Sequence, residues 1–331
     1  MDPATLAQLR LAKLRALITP HWGEPSASAA VHPPAGGAAI ADGERGWCLV
    51  EAAPERALGG ALAWAHRAGV TELHVIVNDA VAAGHLARRA GGFTSAPQVW
   101  WIEGTEVVAA EALPLPPVLP IVGDVTEFVR LFDEVGAEPV VEHGILRAEV
   151  LGLEVARVVD EAGVPFLEVG VGRHDREAHR EMEADSAPRA ALERVIAGVR
   201  AHRVGGALSH PANTLSRERW LRRIVIDQPA LVGAASLEAV ESPVRRTDLR
   251  VAAPAPAAGV DADGAPVLVV CSTGIDLDLV PAAWDARLRD ARARARLVLA
   301  VPPGDDHPLT LALAASMVEP AEVRVVEWPV A

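Results

Sequence analysis

The chain contains no tyrosine and only four phenylalanines, and aromatic residues make up 4% of its 331 positions. Its core must therefore be filled by alanine, valine and leucine, and with 50% hydrophobic residues there is enough of them. Small aliphatic side chains favour closely packed layers of helix and sheet. Lysine is nearly missing too: Lys13 is the single one among 31 basic residues, the rest being arginine. That bias accords with GC-rich bacterial coding and is weak evidence for phosphate recognition. It excludes chemistry needing a compact, titratable ammonium anywhere but near residue 13. The two cysteines, Cys48 and Cys271, lie far apart without CxxC spacing, which excludes a disulfide framework and fits a reducing cytoplasm. No apolar run reaches the length of a bilayer span. The amino-terminal MDPATLAQLRLAKLRALI breaks its apolar positions with charge, so no signal-peptide core forms and no membrane partner is expected. The net charge of -13 repels phosphate backbones at long range and excludes broad coating of nucleic acid.

Apolar periodicity predicts an α/β fold built of βαβ-type layers. A helix is expected over 1–20 and a flexible Gly/Pro/Ala/Ser connection over 21–46. An α/β unit follows over 47–111: strand WCLVE, helix, strand ELHVIV, helix, strand QVWWIEG. The proline-rich run ALPLPPVLPIVG (112–123) cannot continue a helix or central strand and marks a boundary. A helix capped by Asp124 and several extended stretches occupy 124–183, an arginine-rich helical segment 189–250, and a second α/β unit 265–331 after another Pro/Ala/Gly-rich connection. The order strand, helix, strand with tryptophan recurs in LHVIV…VWWIEG and LVLAV…VVEWP, which points either to internal duplication of the flanking βαβ segments or to two ordinary units of common topology.

Between 152 and 172, GLEVARVVDEAGVPFLEVGVG sets one glutamate in each of two apolar runs joined by a polar break. Reversal within DEAG makes available a hairpin register that sets Glu154 opposite Glu168, about 5 Å apart. Two carboxylates so placed repel unless a cation or proton lies between them. A preceding helix, an acid in G-L-E-V, a second acid in L-E-V-G-V and a following helical segment together resemble the PD-(D/E)XK nuclease superfamily over residues 124–183. The resemblance implies a central nuclease-like unit with Glu154 and Glu168 holding Mg²⁺ or Mn²⁺, and nucleic acid as partner. The superfamily lysine position is Gly170, so the resemblance implies a catalytically degenerate site unless Arg173 or His174, just past the strand, stands in. The alternative is that both acids are solvated hairpin residues flanked by arginines.

Residues 189–250 carry eleven arginines against six acids. In NTLSRERWLRRIVI, Ser216 is positioned to cap a helix presenting Arg219, Arg222 and Arg223 around Trp220, either to grip phosphate and stack a base or as an amphipathic helix with solvated arginines. The two glycines of VGVGR lack the lysine and Ser/Thr of a phosphate loop. CSTGIDLDLV offers Cys271 near a strand end, with His307 as a distant base; a buried cysteine and turn aspartates account for the same residues. His202 and His210 have no metal-ligand spacing. Two functional readings follow: a nuclease-like protein acting on or binding nucleic acid, or a non-catalytic interaction scaffold of α/β fold.

Overall fold

The computed structural model describes residues 2–26, 30–31, 36–161, 163–182, 188–204, 213–246, 249, 251–290, 292 and 295–327. His210 falls outside them. The fold is α/β, with nine α-helices and three sheets among the described residues, none of the helices long and apolar enough to cross a membrane. Contacts divide the chain into two compact units, Met1–Leu115, Asp276–Arg289 and His307–Glu322 in one, and Pro116–Ile275, Asp290–Asp306 and Val323–Ala331 in the other.

The first unit begins with α1 (Pro3–Trp22), whose first turn is closed by Asp2 accepting the Thr5 N–H at 3.3 Å. Its sheet runs in the order β1 (Ala30–Val31), β2 (Gly37–Asp42), β3 (Arg45–Val50), β4 (Glu72–Val77), β5 (Gln98–Glu103), β6 (Glu106–Ala109), with β3, β4 and β5 parallel. Helices α2 (Leu58–Ala68) and α3 (Ala80–Ala90) make the crossovers. β2 falls inside the stretch whose composition predicts a connection. Its alanines have little strand propensity, and the strand exists because every residue from Gly37 to Asp42 pairs with β3 while Ala38, Ala39 and Ile40 are buried.

The second unit opens with α4 (Thr126–Val135), which starts two residues later than expected. Asp124 accepts from the Thr126 N–H and hydroxyl at 3.0 and 2.6 Å and so forms the turn before the helix. An antiparallel meander follows: β7 (Glu138–Glu142), β8 (Ile145–Val150), β9 (Leu153–Glu161) and β10 (Val164–Val169). The turns His143–Gly144 and Leu151–Gly152 have positive φ at both residues, the tight-hairpin geometry that matches strand twist. One face of the meander buries Leu146, Ala148, Val150, Leu153, Val158 and Leu167 against α4 and α6 (Pro188–His202). Between the meander and α6 lies α5 (Gly172–Met182), and α7 (Arg217–Asp227) precedes the third sheet. That sheet is ordered β11 (Ser236–Ala239), β12 (Ala255–Val260), β13 (Pro266–Cys271), β14 (Arg296–Val301), β15 (Glu322–Val325). β12 is a second strand where composition predicts a connection, held by full pairing to β13. The antiparallel-then-parallel order β2–β3–β4 recurs as β12–β13–β14, so the two sheets share two strands, β2 and β3 matched by β12 and β13, that the repeated sequence pattern does not contain.

The remaining helices, α8 (Leu279–Arg289) and α9 (Pro308–Ala315), belong to the first unit, where α8 packs on α2 and α3. Buried Asp285 of α8 receives both Arg88 Nε, at 2.8 Å, and Arg89 Nε, at 2.7 Å.

Candidate functional site

The second face of the meander is charged. Regular alternation would put Glu154 and Arg157, three residues apart on β9, on opposite faces. A bulge prevents this: Glu149 pairs with Glu154 while Ala148 pairs with Ala156, which leaves Val155 as an extra residue. Arg147, Glu149, Glu154 and Arg157 therefore share one face, joined by Glu142 of β7 and Glu168 of β10.

Two helices bring arginines to this face. From α7, Arg219 reaches Glu142 and donates to Glu149 at 2.6 Å, while Arg222 donates to the other Glu149 oxygen at 2.8 Å. All four side chains are buried. Burial by itself would raise the Glu149 carboxyl, but Arg219, Arg222, Arg246 and Arg147 outweigh it and bring it down to about 2. From α5, Arg176 donates to Glu154 at 3.0 Å and lies 3.6 Å from Glu168. Arg147 takes the second Glu154 oxygen, and Arg157 donates to Glu168 at 2.8 Å.

The expected register is thereby corrected. Glu168 stands opposite Arg157, and Glu154 opposite Glu149 on the other neighbouring strand. The position of the reversal decides this, since the β9–β10 ladder closes at Glu161–Val164 and its unbroken register then sets residue 157, not 154, across from 168. Such a donor set does not fit a divalent cation. Both Glu154 oxygens are taken by guanidinium groups, and among the described residues no three metal-binding side chains converge. Gly170 has φ 137°, and a Cβ there would lie 2.9 Å from both Arg176 N and Asp175 C. The position where the resemblance places a lysine is thus pressed against the backbone of α5.

A cleft of about 640 Å³ opens over this face. Arg147, Arg157, Arg173, Arg176, Arg219 and Arg246 line it, against three acids, Glu142, Glu154 and Asp175. The first turn of α5, Gly172 to Asp175, forms part of its wall. The Arg246 side chain is largely covered close to Arg219, and burial followed by that like charge lowers its guanidinium to about 10. A smaller cleft shares Arg157, Arg173 and Arg176 with the first and adds Glu168, Glu177 and Arg180.

Of the residues singled out in the sequence, Glu154, Arg173, His174 and Arg219 meet at the larger cleft, and Glu168 lines the smaller one. His174 is at the mouth, its side chain 99% exposed and its Nδ1 3.8 Å from Glu177. Arg222 lies in the interior, and Arg223 pairs with Glu138 and Asp227. The helix reading that solvates these arginines and the one that offers them together to phosphate are both corrected, because Glu142 and Glu149 draw Arg219 and Arg222 inward. Trp220 is buried, with the Arg203 guanidinium 4.6 Å from its ring, and Ser216 makes no capping hydrogen bond. Cys271 is fully buried and its thiol is pushed up to about 12 by desolvation, which leaves it protonated and inert at neutral pH. His307 caps α9, its Nδ1 accepting from the Leu309 N–H at 3.2 Å.

Sequence reasoning missed Arg147, Arg157, Arg176 and Arg246. A signal existed for Arg147, since charge alternates with apolar residues in LRAEV, whereas in LEVAR the two charges are three residues apart and the alternation breaks. Arg176 repeats Arg173 and precedes Arg180 at helical spacing. No local pattern marks Arg246. No family model, curated protein or solved structure matches this chain.

Proposed function

We propose that the protein binds nucleic acid through this cleft without cutting it, as a nuclease-like frame in which guanidinium groups hold the carboxylates that a metal would need. The observation that carries the reading is Glu154 enclosed by Arg147 and Arg176 inside an arginine-lined cleft. Twice as many arginines as acids line it, so an anion is the complementary ligand. The neighbouring cleft shares three of those arginines and continues the positive track, which suits a ligand with successive phosphates. Arg173, 82% exposed, stands where the two meet. Because the whole chain carries -13, this local attraction works against long-range repulsion and binding should be steeply salt-dependent.

Fluorescence anisotropy with a single-stranded oligonucleotide over a salt series tests the reading. Binding that weakens steeply with salt, drops in Arg157→Ala and Arg173→Ala, and yields no cleavage product with Mg²⁺ or Mn²⁺ supports it. Absence of binding at low salt overturns it and favours the non-catalytic scaffold.

A further inference from the structure

The larger cleft has features that a through-running phosphodiester track does not require. Its floor is closed by side chains that are nearly inaccessible: Arg176 at 9%, Arg219 at 7%, Arg246 at 8% and Glu142 at 3% exposure. A polymer passing through a site needs two open ends, whereas a closed floor receives a chain terminus. Among the lining residues, Arg147 Nε, Arg176 Nε and Arg246 Nη1 are buried donors without a hydrogen-bond acceptor. Arg176 Nε has Glu168 at 3.6 Å and Arg246 Nη1 has Glu218 at 3.9 Å, ion-pair distances too long for a hydrogen bond, so all three donors can still take an acceptor. The amino-terminal turn of the 11-residue helix α5 lines the same space. The N–H groups of that turn have no acceptor within the helix and add further donors and a partial positive charge.

We infer that this closed end is a pocket for a terminal phosphate, formed by Arg147, Arg176, Arg246 and the first turn of α5, so that the protein recognises phosphorylated nucleic-acid ends. A phosphomonoester presents three terminal oxygens and up to two negative charges, which match several convergent cationic donors. An internal phosphodiester presents two free oxygens and one charge, with chain continuing on both sides. From the pocket, the strand leaves over Arg173 and Arg157 into the neighbouring cleft, which supplies contacts for following phosphates. The inference rests on the nucleic-acid reading above and narrows it to the end of the strand. Asp175, exposed on the same first turn, is the one acid of the cleft without a guanidinium partner at hydrogen-bond or ion-pair distance among the described residues. It repels a phosphate there and sets the affinity below its maximum.

The full-length protein should be titrated with one single-stranded sequence in three forms: 5′-phosphorylated, 3′-phosphorylated and without terminal phosphate. One phosphorylated form is expected to bind about tenfold more tightly than the unphosphorylated form, the gain of one charge-assisted contact set. Arg246→Gln should bring the phosphorylated and unphosphorylated forms to equal affinity, whereas Arg173→Ala should weaken all forms by a common factor and keep the ratio between them. Asp175→Asn, at an exposed position, should enlarge the difference. Equal binding of all three forms, unchanged in Asp175→Asn, overturns the end pocket and leaves nucleic-acid binding standing. If no oligonucleotide binds but inorganic phosphate or a mononucleotide raises the melting temperature, and Arg246→Gln cancels that rise, the pocket stands as a phosphate site and the nucleic-acid reading falls. Failure of every ligand overturns both.

Discussion

Arg157 stands directly across the β9–β10 ladder from Glu168, and its Nε donates to that carboxylate at 2.8 Å. The place opposite Glu168 that a second carboxylate would need is thus held by a cation. At Glu154 too the carboxylate oxygens are held by guanidinium groups, those of Arg147 and Arg176.

Mg²⁺ or Mn²⁺ at millimolar concentration should leave the melting temperature of the protein unchanged, because binding to the native state alone is what would raise it. Glu154→Ala should lower stability by about 3 kcal/mol by leaving Arg147 and Arg176 without their shared acid in a nearly buried position. Chemical denaturation measures the loss, and a variant as stable as the parent would show that the two ion pairs contribute nothing.

Introducing a lysine in place of Gly170 should not create nuclease activity. The backbone there has φ 137°, and a Cβ would press on Arg176 N and Asp175 C at 2.9 Å. Gly170→Lys should therefore displace α5 and cost roughly 1–3 kcal/mol in strain. Denaturant midpoints for Gly170→Lys and Gly170→Ala should fall together, since the conflict begins at the Cβ.

Glu149 predicts the acid behaviour. Its carboxyl titrates near 4.5 in an unfolded chain and at about 2 in the folded protein, where burial is outweighed by Arg219 and Arg222. Its contribution is complete above 4.5 and is lost as pH falls from there through 2, because the unfolded state binds the proton first. Glu149→Gln should destabilise at neutral pH by about 3–5 kcal/mol, and its stability should vary less with pH in that window. Melting temperatures of both proteins from pH 2 to 7 provide the comparison.

Asp278, in the first unit, should behave in the opposite sense. Burial raises its carboxyl from 3.8 to about 6 against the opposing hydrogen bond from the Gly59 N–H, and Asp276 adds to the rise. Stability is therefore greatest below 3.8 and declines as pH rises through 6, as the folded state is made to give up its proton. Asp278→Asn retains an acceptor for Gly59 and should be more stable at pH 7 by up to about 3 kcal/mol, with no decline between pH 4 and 6. Equal pH profiles would assign the titration elsewhere.

The one-dimensional chain determined the layered α/β class, because apolar periods of two and of about 3.6 report which side of an element meets the core. Strands β3, β4, β5, β13 and β14, and the helices between them, were legible for that reason, as were two acids in adjacent extended runs. Strands β2 and β12 were not, since their small residues hold a strand only when a partner supplies the ladder. Tertiary structure alone decided the nature of the site. One extra residue at Val155 turned Glu154 onto the face of Arg157, and helices brought Arg176, Arg219 and Arg222 to carboxylates 22, 70 and 73 residues away in sequence. Register and long-range ion pairing depend on which backbone atoms meet after folding, and no local pattern of side chains carries that information.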